Sequence, residues 1–243
     1  MNRAGMHEEA QAGIIFALGA VALRLGLTDA HLAYIQPAMG PALAVAGAVL
    51  AVLGGVILLR RHEGGRNDSG LHGHAHGGGS RIGWLLVAPI LAIAVVAPSP
   101  LGAFAANRAP TTLPTPARNF GPLQAATNGA VDLSLTEFVG RARYGQGQSL
   151  EGVPVRLIGF STTDARGDGF LLTRFVISCC AADARPVRVA IRGGQPPWPA
   201  PDTWLEVTGT WRSETRGAED TRPPILNLTS LRTVPPPANQ YLR

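Results

Sequence analysis

Long apolar runs occupy the N-terminal part of this chain, and short alternating runs occupy the C-terminal part. Residues 39–59 carry no charge, and a helix of that length, at about 1.5 Å per residue, crosses the hydrocarbon core of a bilayer. Residues 82–97 are almost entirely apolar, and residues 13–35 are apolar with three polar interruptions. The pattern therefore predicts three membrane-spanning helices within residues 1–97, in contact with lipid.

Arginines flanking these runs predict the orientation. Residues 60–81, between the second and third spans, contain Arg60, Arg61, Arg66 and Arg81. Because basic residues in short loops stay on the cytoplasmic side, this loop and the N-terminus are expected inside. Everything after about residue 98 is then expected outside the cytoplasm.

Arg24 lies within the first predicted span, together with Asp29 and His31. A charge deep in the hydrocarbon costs several kcal/mol unless it is paired, so one interpretation places Arg24 against a partner helix. In the other interpretation the helix is shifted, Arg24 reaches the interface, and Asp29 and His31 lie in water. The sequence leaves both open.

The cytoplasmic loop is rich in glycine and carries His72, His74 and His76 at alternate positions. Imidazoles bind zinc, copper or nickel, and a flexible chain can fold three of them around one ion. The alternative is an unstructured low-complexity segment, because three histidines without a thiolate or carboxylate close a site poorly.

Residues 98–130 contain six prolines among small polar residues and are predicted to form an extended linker. Ala103-Phe104-Ala105 has the small-x-small pattern of a signal-peptidase site. Cleavage after Ala105 is therefore the alternative to a retained third span.

Residues 131–243 are predicted to form a β-rich domain outside the cytoplasm. Ser134 and Glu137 fit a capping box, in which the hydroxyl and the carboxylate bind free backbone N–H groups of a short helix that reaches Tyr144. Five runs rich in β-branched and aromatic residues follow, at 153–160, 170–178, 187–192, 204–211 and 225–231. In the third run Arg188 and Arg192 alternate with apolar residues and are expected to face outward. The fold class is membrane-anchored α + β, with transmembrane helices followed by a small all-β, OB-like barrel and one short helix.

Composition narrows the function classes. Charged residues make up 15% of the chain, below the roughly 25% of soluble domains, and all 21 basic residues are arginines scattered among acids. No basic stripe that would bind nucleic acid is visible. Common catalytic motifs are absent, and all six histidines precede the β-rich domain, so neither cysteine has a histidine base within it. We therefore expect neither a nucleic-acid-binding protein nor an enzyme.

The two cysteines of the chain, Cys179 and Cys180, are adjacent. Neighbouring side chains on a strand point to opposite faces, so both thiols can serve one site only if the chain turns, which residues 181–186 favour. Three chemistries remain open: a soft metal held with Asp183, a vicinal disulfide, or packing as small apolar side chains.

The string from Arg174 to Pro186, with residues 204–210 downstream and residues 34–39 between the first two spans, resembles the YcgQ-like family of permease subunits. The resemblance implies an accessory subunit that works beside a polytopic permease in the plasma membrane of a bacterium, without enzymatic activity. It also implies a link to zinc or another soft metal ion, and it adds Arg174 to the candidate ligand residues Cys179, Cys180 and Asp183. The alternatives are an extracytoplasmic thiol redox or sensor module, and a tethered binding domain with structural cysteines.

Overall fold

A computed structural model describes residues 3–64, 99–110, 120–123, 126, 128–214 and 221–242. The chain divides into two compact units, residues 1–99 and 100–243. Two of the predicted features, the third span at 82–97 and the histidine-rich loop, lie outside the described residues.

The first unit contains an antiparallel helical hairpin of α1 (Arg3–Leu27) and α2 (Gly40–Gly64). Small residues seven positions apart form its seam: Ala12 and Gly19 on α1, and Gly47 and Gly54 on α2, are all buried. Small side chains let two backbones approach closely, and a seven-residue spacing returns them to one helix face. The seam therefore explains why so apolar a pair of helices packs in one register.

The outer surface of the hairpin is apolar and exposed. Val45, Val49, Val52 and Leu59 are each more than 60% exposed on α2. Within the described part of the chain one helix, Pro37–Arg60, is long and apolar enough to cross a membrane, and it contains the predicted span at 39–59.

The first predicted span differs from the structure at its end. α1 stops at Leu27, and a 3₁₀ turn covers Asp29–Ala33. The hydroxyl of Thr28 donates to the carbonyl of Arg24, and Nδ1 of His31 lies 2.6 Å from the carbonyl of Thr28, so side chains satisfy backbone groups at the helix end. Arg24 is exposed, one turn before that end.

The second unit is built on a seven-stranded sheet. Its strands are β1 (Val131–Asp132), β2 (Pro154–Thr163), β3 (Phe170–Val176), β4 (Arg185–Arg192), β5 (Trp204–Arg212), β6 (Ile225–Thr233) and β7 (Tyr241–Leu242). The five long strands correspond to the five predicted ones. Their pairings close a ring in the order β2-β3-β4-β6-β5-β2, in which only the β4–β6 pair is parallel. β1 and β7 were not predicted, because two residues carry no period-two pattern; they extend the sheet beside β2 and β3.

One fully buried residue from each long strand fills the ring: Leu157, Leu172, Val189, Val207 and Leu226. Helix α4 (Leu135–Tyr144) packs Leu135, Phe138 and Val139 into the same core. As predicted, Ser134 caps this helix by accepting from the N–H of Glu137 at 3.1 Å. The Glu137 carboxylate instead pairs with Arg141, at 2.8 Å.

A second apolar cluster lies on the outside of the ring. Residues 103–108, which the sequence analysis assigns to an extended linker, form the short helix α3 (Ala103–Arg108). Ala103 and Ala106 pack there against aromatic side chains of four strands, namely Phe160, Phe175, Trp204 and Tyr241. The carboxylate of Asp202 accepts from the N–H of Ala103, which binds the start of α3 to the domain.

The outer face of β4 is covered, so the expectation that Arg188 and Arg192 face outward into solvent is corrected. Arg188 is buried because it donates to the carbonyls of Ala106 and Ala109 at the end of α3. Arg192 is buried because it pairs with Asp164 in the β2–β3 turn. Alternation predicted the side of the strand correctly, but not what packs over it.

The hairpin seam predicts a difference between two glycines of α2. A Cβ at Gly47 would overlap the backbone nitrogen of Leu23, whereas a Cβ at Gly55 would meet only the ring of Phe16 at 3.8 Å. Gly47→Ala should therefore destabilise the hairpin by about 1–3 kcal/mol, the usual cost of overpacking, while Gly55→Ala serves as the matched control. Thermal unfolding of the full chain in detergent should show a lower midpoint for Gly47→Ala alone. Equal midpoints would contradict the seam.

Candidate metal site at the end of strand β3

The two cysteines lie in the loop that joins β3 to β4. Strand β3 ends at Val176, and a 3₁₀ turn covers Ala181–Asp183 before β4 begins at Arg185. The N–H of Asp183 donates to the carbonyl of Cys180 at 3.0 Å, which closes this turn. The turn that both thiols require in order to share a site is therefore present.

Asp183 folds back onto the start of the loop. Its Oδ1 accepts from the N–H of Ser178 at 2.8 Å, and its Oδ2 accepts from the N–H of Cys179 at 2.7 Å. Short aspartate side chains bind nearby backbone N–H groups in this way in turns. The carboxylate thus holds the loop closed beside the thiols.

The thiols and the carboxylate converge. The sulfur atoms of Cys179 and Cys180 are 3.5 Å apart, and one ligand atom from each of Cys179, Cys180 and Asp183 lies within 4.8 Å of the others. Both cysteines are free, Cys179 is exposed and Cys180 is half-buried. The two cysteines are therefore not packed as buried apolar side chains. Together with Asp183 they offer the donor types that a thiophilic metal ion uses.

Hydrogen bonds within the loop shift the pKa values of Cys179 and Asp183. A hydrogen bond with the Asp183 carboxylate, supplemented by one with Cys180, raises the pKa of the Cys179 thiol to about 11. The same contact with Cys179 and the N–H of Ser178 lower the pKa of Asp183. At neutral pH the metal-free loop therefore holds an ionised carboxylate beside a protonated Cys179 thiol.

The structure places Arg174 in a different role from the predicted ligand set. Its guanidinium donates to the backbone carbonyls of Asn239, at 2.7 Å, and Gln240, at 3.3 Å, and lies 5.6 Å from the ring centre of Trp204. Burial lowers its pKa to about 10. Arg174 is thus bound to the C-terminal segment, and the described group that can hold a metal comprises Cys179, Cys180 and Asp183.

The C-terminal segment that includes β7 is the part of the site that was not predicted from the sequence. β7 pairs in parallel with the end of β3, and the N–H of Ile177 donates to the carbonyl of Leu242 at 3.3 Å. Ile177 is the first residue after β3, so the C-terminal strand β7 fixes where the loop begins. The sequence signal that could have indicated this strand is the pair of large side chains Tyr241 and Leu242 near residue 243.

The sequence also predicted three histidines and Arg24 as site residues. His72, His74 and His76 lie outside the described residues. Arg24 belongs to the first unit, where its side chain is exposed.

The fold and the site define a class: a closed β-domain with an exposed dithiol–carboxylate group at one strand end. Residues 144–242 match the sequence model of the DUF1980 C-terminal domain, a domain family without an established function. The match covers less than half of the chain, but it includes the five long strands and the whole cysteine loop. No curated protein and no solved structure matches the chain.

Removing the carboxylate should make Cys179 more reactive. In a Cys180→Ser background, Asp183→Asn deletes the negative charge that raises the thiol pKa, so the pKa falls and the thiolate fraction at pH 8 rises. Because a less basic thiolate is also a weaker nucleophile, we expect alkylation to accelerate about threefold to tenfold.

Iodoacetamide labelling followed by mass spectrometry measures this rate. Asp132→Asn, which removes an exposed carboxylate paired with Arg156, is the control and should leave it unchanged. A rate that is equal or slower in Asp183→Asn would show that the carboxylate does not protect the thiol.

Proposed function

We propose that this protein is an accessory subunit of a two-component membrane permease, and that its C-terminal domain binds a thiophilic metal ion such as zinc. The observation that carries the proposal is the convergence of the two sulfurs and the carboxylate within 4.8 Å on one loop. Thiolate and carboxylate oxygen are both zinc ligands in proteins.

Exposure of the site supports binding and release over a structural role. Structural zinc sites are closed by four protein ligands, whereas this loop presents three donors, with Cys179 exposed. An ion held there remains accessible to solvent and to another protein, as an ion in transit requires.

The strand order supports an OB-like barrel as the scaffold. Five strands paired 1-2-3-5-4-1, with the third and fifth parallel, have the connectivity of that fold. α4 precedes β2, the first of these five strands, and packs its apolar face into the core of the ring.

The hairpin supports membrane attachment. Its outer surface is apolar and Pro37–Arg60 is long enough to span, with Arg60 exposed at its end. Under the positive-inside rule, Arg60 and the arginines of residues 61–81 favour a cytoplasmic N-terminus and an extracytoplasmic β-domain in the bacterial plasma membrane. The resemblance to YcgQ-like permease subunits motivates the polytopic partner.

A thiol redox or sensor module is the second candidate, because two free thiols lie 3.5 Å apart. Its chemistry needs a thiolate, and reactive cysteines owe this to a lowered pKa. The pKa of Cys179 is raised, to about 11. Metal binding does not need a thiol that is already ionised, because a bound divalent cation lowers the pKa of the thiol that coordinates it.

Full-length protein in detergent should bind one zinc ion per chain. Cys179→Ser combined with Cys180→Ser removes both sulfur donors and should abolish this binding, whereas Ser178→Ala removes only the neighbouring hydroxyl and should preserve it. Equilibrium dialysis with elemental analysis measures the ratio. Equal zinc content in the double variant and the wild type would refute the site.

The permease role predicts a stable membrane partner. The tagged full chain should co-purify with a polytopic membrane protein, and the double cysteine variant should retain this partner while changing metal uptake or metal-dependent growth. Retention is expected because the cysteines belong to the second unit, whereas the helices that would contact the partner belong to the first. Identical metal uptake in the variant and the wild type would contradict a role of the cysteine site in metal transport.

A further inference from the structure

We propose that Cys179, Cys180 and Asp183 form an open, four-coordinate site for a divalent ion, in which the fourth position is left for an exchangeable ligand from solvent or another molecule. This inference rests on the proposed metal binding and adds the coordination geometry, the class of ion and the open fourth coordination position.

The ligand inventory of the second unit limits how the site can close. Residues 100–243 contain no histidine and no cysteine besides Cys179 and Cys180. Among the described residues, the metal-ligand group has one carboxylate, that of Asp183. The Cys₄, Cys₃His and Cys₂His₂ sets of closed structural zinc sites therefore cannot form within this unit.

The sulfur separation suits a four-coordinate ion. With metal–sulfur bonds of about 2.3 Å, a tetrahedral angle places two sulfurs about 3.8 Å apart, whereas a linear arrangement at the same bond length needs about 4.6 Å. The observed separation is 3.5 Å. A tetrahedral ion requires a small adjustment of the side chains, while a linear ion requires the sulfurs to part by more than 1 Å.

Asp183 retains capacity for a metal while it holds the loop. A carboxylate has about four lone-pair positions, and the N–H groups of Ser178 and Cys179 occupy one on each oxygen. The remaining positions can serve the ion. Two thiolates and one carboxylate carry three negative charges, so a divalent ion leaves the site with a single negative charge.

The donor set also argues for a borderline divalent ion. Soft monovalent ions favour sulfur alone, whereas oxygen donors favour harder ions, and zinc accepts both. Three protein ligands with a fourth position open are the arrangement of zinc sites that bind a further ligand. Here that position is where an incoming donor can take hold of the ion before the protein releases it.

Cobalt(II), a spectroscopic substitute for zinc, tests the geometry in full-length protein in detergent. One ion per chain should give the strong visible bands of four-coordinate cobalt together with thiolate-to-cobalt charge transfer. Added imidazole or azide should shift the visible bands without removing the ion, because it enters the fourth position.

Two variants test the third ligand. Asp183→Ala should weaken cobalt binding by at least about tenfold. Asp183→Cys should restore it and raise the charge-transfer intensity by about half, since three thiolates replace two. Silver(I), which two sulfurs satisfy, should bind the wild type and Asp183→Ala with equal stoichiometry. Ser178→Ala is the control that should keep the wild-type spectrum.

The outcomes separate this inference from the proposed function. Absence of stoichiometric cobalt and zinc binding would overturn both. Four outcomes would overturn the open three-ligand site alone while leaving metal binding intact. The cobalt bands could be the weak ones of a six-coordinate ion, or they could fail to respond to azide and imidazole. Alternatively, one ion could bind per two chains, or Asp183→Ala could bind cobalt as tightly as the wild type.

Discussion

The carboxylate of Asp183 accepts hydrogen bonds from the N–H groups of Ser178 and Cys179, and the arrangement of the cysteine loop depends on this contact. On a continuing strand the two thiols would point to opposite faces. By drawing the 3₁₀ turn back onto the end of β3, Asp183 brings the carboxylate beside both sulfurs. One side chain therefore shapes the loop, raises the pKa of Cys179 and, in the proposed metal site, supplies the third donor.

The C-terminal segment holds the start of the loop. Ile177, the first residue of the loop, is buried and its N–H donates to the carbonyl of Leu242, and Arg174 donates to the carbonyl oxygens of the residues just before β7. Ile177 belongs to the outer apolar cluster, which also contains Ala103 and Ala106 of α3. The residues that follow the predicted third span and the start of the cysteine loop thus share one packed cluster.

The sequence predicted those parts of the β-domain that a repeating pattern encodes. Period-two alternation located all five long strands, and Ser134 located the start of α4. The sequence did not predict that α3 covers β4, because Ala103 and Ala106 lie in a proline-rich stretch typical of a linker. The contacts that hold the two ends of this helix, with Asp202 and Arg188, come from residues far away in the sequence.

At the site, adjacency of Cys179 and Cys180 and a nearby Asp183 were enough to nominate the donors. The sequence did not reveal that Asp183 binds the backbone of the loop, because hydrogen bonds to specific N–H groups depend on the final turn geometry. Arg174 lies in the same recognisable string, yet its partners are 65 and 66 positions away in sequence. Contacts of that range leave no local pattern from which they could be inferred.

X-ray absorption at the zinc edge tests the central claim most directly, because it counts the donors around the ion. For zinc-loaded full-length protein we expect two sulfur neighbours at about 2.3 Å and lighter oxygen or nitrogen neighbours at about 2.0–2.2 Å. A first shell of oxygen and nitrogen alone, or one of four sulfurs, would contradict it.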